Sequence, residues 1–73
     1  MSGLPRISGR ECVKAPEKAG FVFRRQEGSH IILRRNETFG QVVVADHKEL
    51  DRGTLRAIIR QAGTSAEEFT KLL

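Results

Sequence analysis

Leu55, Ile58, Ile59 and Ala62 recur at i, i+3, i+4 and i+7, the strongest apolar periodicity in the chain. They predict an amphipathic core helix, and its apolar stripe must be covered by a second layer. The helix begins near Asp51 or Thr54, either of which can cap it, and stops at Gly63. Beside the stripe, Arg52, Arg56 and Arg60 return every four residues and form one basic ridge. That ridge reads equally well as a solvated edge or as a carrier of backbone phosphates or acidic partner side chains.

The middle of the chain has the composition of a small sheet. Phe21-Val22-Phe23-Arg24-Arg25-Gln26 is rich in aromatic and branched residues and predicts a strand. The pair Glu27-Gly28 predicts a tight turn into a second strand over Ser29 to Arg35. With a two-residue turn there, Gln26 faces Ser29 and Arg25 faces His30 across the ladder. A cation opposite His30 would favour the neutral, proton-accepting imidazole. Alternation puts His30, Ile32 and Arg34 on one face and Ile31, Leu33 and Arg35 on the other. Both faces are of mixed character, so the pattern does not choose the one that meets the helices. Asn36-Glu37-Thr38 predicts a second turn into Phe39-Gly40-Gln41-Val42-Val43-Val44, whose unbroken valines suit a central or closely packed strand.

Residues Met1 to Arg6, with Gly3 and Pro5, read as an extended lead-in. Ser8 with Glu11 has the form of a capping box, and Ile7 with Cys12 could form a hydrophobic staple around it. Cys12, Val13, Pro16 and Ala19 then mark one face of a helix over Arg10 to Ala19, ended by Gly20. Pro16 is the anomaly, because an interior proline removes a hydrogen bond and costs about 3 kcal/mol or more. A kinked or shortened first helix is expected. At the other end, Thr64 with Glu67, or Ser65 with Glu68, offers a second capping box for a short helix carrying Phe69 and Leu72.

Seventy-three residues make one domain, residues 1–73, with one modest core. A deep cavity is not expected, and a shallow, open site suits a polymer better than a small metabolite. Thirteen Lys and Arg against nine Asp and Glu leave a net charge of +4, carried mostly by arginine, whose planar fork pairs well with phosphate. Nucleic acid is the first candidate partner, an acidic protein the second, and a merely soluble surface the plain alternative. The lone Cys12 allows no internal disulfide and reads as a packing residue in a reducing, cytoplasmic setting. No apolar run reaches the length of about 20 residues that crosses a bilayer, and no signal-peptide core is present at the N-terminus. The loop Ala45-Asp46-His47-Lys48-Glu49-Leu50-Asp51 is acidic, but its spacing does not gather ligands around one ion with His47. No metal or other cofactor is expected.

The stretch Gly28-Ser29-His30 carries the chemistry. It sets a group that titrates near neutrality at the start of an apolar run, with Arg24, Arg25, Arg34 and Arg35 on either side. Fixed positive charge beside such a group suits binding a phosphodiester and moving a proton. The plain alternative is that His30 only caps a hairpin.

Helix, three antiparallel strands, helix is the order of an α+β two-layer fold of the double-stranded-RNA-binding type, with a short C-terminal helix added. Gly28-Ser29-His30, Lys48-Glu49-Leu50, Glu67-Glu68-Phe69, and above all Gly53-Thr54-Leu55-Arg56-Ala57-Ile58-Ile59-Arg60-Gln61-Ala62-Gly63 resemble the HicA toxin family, also called YcfA-like. The resemblance runs from the Ser8 helix to Leu72. Pro16 departs from it, standing where a helix former is expected, and so does Ala45-Asp46, where many members have a proline before the second histidine.

The resemblance implies the toxin of a type II toxin–antitoxin pair, an endoribonuclease that cleaves messenger RNA and is silenced by a HicB-like antitoxin. It implies a monomeric free toxin and a hetero-oligomer with the antitoxin. The family's essential histidine maps onto His30, not His47. RNA brings its own nucleophile, the 2′-hydroxyl, so proton transfer and phosphate positioning can suffice without a metal. His30 would be general acid or base, with Arg24, Arg25, Ser29, Arg34, Arg56 and Arg60 contacting RNA. The residues offer no obvious second acid or base. The rivals are a non-catalytic RNA-binding module reading A-form shape and phosphate, and an interaction domain docking an acidic partner.

Overall fold

A computed structural model describes residues 3–73. For Met1 and Ser2 the expected lead-in lies outside the described residues. From Gly3 to Ser8 the chain forms no helix or strand, yet Leu4 and Ile7 pack against the core. The elements are α1 (Gly9–Cys12), α2 (Lys14–Lys18), β1 (Val22–Glu27), β2 (His30–Arg35), β3 (Gly40–Ala45), α3 (Arg52–Ala62) and α4 (Ala66–Leu72). The strands form one antiparallel sheet in the order β1-β2-β3, with helices layered on one side. This is the expected α+β architecture of double-stranded-RNA-binding-domain type.

The first helix is split, as Pro16 predicts. Ser8 caps α1 through a complete capping box with Glu11. Val13 then ends α1 and begins α2. Without an N–H, Pro16 cannot bond the Cys12 carbonyl four residues back, and its ring crowds that carbonyl. It sits instead in the first turn of α2, where an amide hydrogen is not needed, and is fully buried. Its own carbonyl accepts from the amides of Ala19 and Phe21, turning the chain into β1.

Cross-strand pairing settles which sheet face is covered. Ile31 pairs with Val44 and Leu33 with Val42, and all four join Cys12, Ala15, Phe21, Leu55, Ile58, Ile59 and Phe69 in the core. His30, Ile32 and Arg34 therefore project from the opposite, open face. β2 is the central strand, and β3 is a closely packed edge strand rather than a central one. Its edge is covered, because Gln61 of α3 accepts a hydrogen bond from the Val43 amide at 2.9 Å. β1 has no such cover, and Val22 and Phe23 are 62% and 52% exposed.

Asp51 is the cap of α3, accepting from the Thr54 amide at 2.7 Å, and Gly63 closes the helix in the left-handed conformation. Of the two possible capping boxes for α4, Ser65 with Glu68 forms. Arg35 fastens the β2–β3 turn to the end of α2. Its guanidinium lies 4.4 Å over the Phe21 ring and donates to the Thr38 and Ala19 carbonyls.

Gly9 marks the closest approach of α1 to β3. Its amide donates to the His47 carbonyl at 2.8 Å, and a Cβ there would lie 1.9 Å from the Ala45 carbonyl oxygen. Gly9→Ala is expected to lower stability by about 3 kcal/mol, since backbone cannot yield as a side chain can. Gly53, in the first turn of α3, meets nothing nearer than Asp51 Oδ1 at 3.5 Å. Gly53→Ala should stabilise by about 0.5–1 kcal/mol. Urea unfolding of the two variants beside the wild type checks both signs.

Candidate functional site

The β1–β2 hairpin turns one residue later than the sequence pattern predicts. Gly28 and Ser29 are the loop, and Glu27, not Arg25, faces His30. Gly28 has φ +57° and Ser29 does not share the positive sign, the arrangement of a hairpin with glycine first in its loop. Arg25 then pairs with Ile32, and a bulge between Phe23 and Arg25 shifts the register beyond it, so that Phe23 pairs with Leu33. The like-charge juxtaposition expected at His30 is therefore absent. A carboxylate stands there instead.

The register assembles three rows on the open face: Glu27, His30 and Ala45; Arg25, Ile32 and Val43; Val22, Arg34 and Gln41. Ile32 is an apolar floor, only 5% exposed, and His30 is exposed beside it. Arg25 Nε donates to Glu27 Oε2. That bond, then the Arg25 charge and more weakly that of His30, holds the Glu27 carboxyl below the usual glutamate range. Arg34 forks onto Gln41 Oε1 at 3.0 and 3.3 Å.

Asp46 clamps the turn from the far side. Its amide donates to the Ser29 carbonyl at 2.7 Å. Its carboxylate accepts from Gln26 Nε2 at 3.1 Å, and that nitrogen also donates to the Gly28 carbonyl. Arg10 of α1 reaches the same carboxylate through Nε and a terminal nitrogen, at 3.1 and 3.2 Å. Both neighbours keep Asp46 ionised below its ordinary range, Arg10 more than Gln26. First helix, hairpin turn and β3 thus meet at one carboxylate.

Of the residues singled out by sequence, Arg25 and Arg34 share the open face with His30. Ser29 lies in the turn before it, and Arg24 sits exposed at the bulge. Arg56 and Arg60 are not brought to that face: they are exposed on α3, in the helical layer. Glu27, Asp46, Gln26 and Arg10 are additions that sequence reasoning missed. Reading Gly28-Ser29 as the loop would have found Glu27, whereas Asp46 gives no local signal because its partners lie 20 and 36 residues away. Burial pushes the Cys12 thiol up to about 12, as befits a packing residue. Among the described residues, no three His, Cys, Asp or Glu side chains gather as a metal site, and no helix is long and apolar enough to cross a membrane.

A family model described as the HicA toxin of bacterial toxin–antitoxin matches residues 9–64. The chain belongs to the HicA toxin family. No curated protein matches it. The HicA match takes in the split first helix, the whole sheet, Asp46 and α3, and so includes both Gly28-Ser29-His30 and the clamp that holds it. α4 lies beyond the matched segment.

Asp46 and Glu27 both titrate lower in the folded chain than in the unfolded one. Their contribution to stability is therefore complete above the ordinary carboxylate pKa of about 4 and is lost as pH falls below it. Asp46→Asn should flatten the acid side of the stability profile and leave its slope above about pH 5 unchanged. Urea midpoints taken from about pH 6 down to about pH 2 on both proteins check this.

Proposed function

We propose that this chain is the toxin of a type II toxin–antitoxin pair and a metal-independent endoribonuclease of messenger RNA, with His30 as general acid or base. The observation that carries the reading is membership of the HicA family over a segment that includes Gly28-Ser29-His30. Its support in the fold is the exposure of His30 on an open sheet face beside Arg25 and Arg34. A flat face admits a polymer, and the 2′-hydroxyl of RNA serves as nucleophile once a proton is removed.

In this reading Arg24, Arg25 and Arg34 steady the phosphate at the cleaved bond, with Ser29 at the turn as a further donor. Arg56 and Arg60, on the other layer, hold RNA phosphates away from the reacting bond and add affinity without chemistry. A HicB-like antitoxin silences the toxin in the cytoplasm by covering the His30 face, converting a monomer into a hetero-oligomer.

His30→Ala is expected to lower cleavage of a labelled single-stranded RNA by about 10²- to 10⁴-fold, in EDTA, with the circular dichroism spectrum unchanged. Undiminished cleavage by the folded variant would remove His30 from the mechanism. A wild-type protein that binds RNA and leaves it intact would replace the enzyme by a binding module.

A further inference from the structure

We infer that Glu27 is the second proton-transfer group of this site, acting as general base towards the 2′-hydroxyl while His30 acts as general acid towards the leaving oxygen. The inference rests on the ribonuclease reading above and completes it, since that reading leaves one of two required proton transfers without an owner.

Glu27 and His30 are direct cross-strand partners at the closing pair of the hairpin, so their Cβ atoms are about 5 Å apart on the same face. Two side chains so placed can reach opposite sides of a single phosphorus centre. Arg25, two residues before Glu27 on the same strand, shares that face and bonds the Glu27 carboxylate. A base, an acid and a guanidinium therefore stand in adjoining rows of one hairpin, above Ile32. The clamp at Asp46 fixes the turn that joins the two proton-transfer groups.

The contacts assign the roles. Arg25 bonds the Glu27 carboxylate and favours its ionised, proton-accepting form, which leaves the donor's part to the His30 ring. A Glu27 oxygen takes the 2′-hydroxyl proton, the 2′-oxygen bonds to phosphorus, and the bond from phosphorus to the 5′-oxygen breaks. His30 then protonates the departing 5′-oxygen. The products are a 2′,3′-cyclic phosphate and a 5′-hydroxyl, and solvent resets both exposed side chains by proton exchange. Arg25 turns from Glu27 to the phosphate as the carboxylate is neutralised, which places its charge where negative charge accumulates.

Single-turnover cleavage of labelled RNA by the wild type, Glu27→Gln, Glu27→Asp, His30→Ala and the charge control Glu37→Gln tests the assignment, with RNA affinity and product ends measured alongside. Glu27→Gln keeps the shape of the side chain and its contact with Arg25 but cannot accept the proton. It should lose about 10²- to 10⁴-fold in rate with RNA binding retained. Glu27→Asp should recover part of the loss, Glu37→Gln should match the wild type, and the product should end in a cyclic phosphate. A Glu27→Gln protein that cleaves at the wild-type rate while His30→Ala is inactive overturns the role of Glu27 and leaves the ribonuclease standing. Cleavage of a substrate lacking the 2′-hydroxyl at the cut site overturns the step itself. Intact RNA with the wild type overturns the ribonuclease reading and this inference together.

Discussion

The contact between the apolar stripe of α3 and the covered sheet face is the interaction on which everything else in this molecule leans. Leu55, Ile58 and Ile59 meet a surface made by Leu33, Val42 and Val44, all nearly or wholly buried. Each such side chain contributes about 1.5–3 kcal/mol when withdrawn from water. Because strand pairing has period two, burying one face commits the other. Once Ile31 and Leu33 point inwards, His30, Ile32 and Arg34 have nowhere to go but the open side. The chemistry of the exposed face is thus decided by hydrophobic residues that never touch it.

The arginines fall into three groups by what they touch. Arg35 lies on Phe21 and bonds two carbonyls, so it belongs to the fabric of the β2–β3 turn. Arg10 and Arg25 are the two arginines in ion pairs among the described residues, one at the clamp and one beside Glu27. Arg24, Arg52, Arg56 and Arg60 carry their charge into solvent on both layers.

Much of the fold was legible because its signals are local. Helical periodicity placed α3, capping chemistry placed the starts of α1 and α4, and Pro16 announced the break between α1 and α2. The hairpin register was not legible, because it depends on whether glycine takes the first or second loop position, and the bulge at Arg24 then shifts the pairs beyond it. Either choice satisfies the residues near the turn. Moving the loop by one residue shifts the ladder by two, which exchanged Arg25 for Glu27 opposite His30 and so reversed the sign of the charge beside it. The clamp at Asp46 was hidden for another reason: its carboxylate sits in an acidic loop that looks like solvated sequence, and only the folded chain brings Arg10 and Gln26 to it.

The strands lie side by side in the order in which they occur in the chain. No crossover has to be threaded, and each of the two strand pairs needs only a short loop to close, an event of about 1–10 μs. What remains is the docking of helices already specified by their own caps and stripes. Most of the ordering is therefore local in sequence, which is the circumstance in which polypeptides reach their native state fastest. The open face and the core beneath it are completed together when the helices dock, since the strand that carries His30 outwards carries Ile31 and Leu33 inwards.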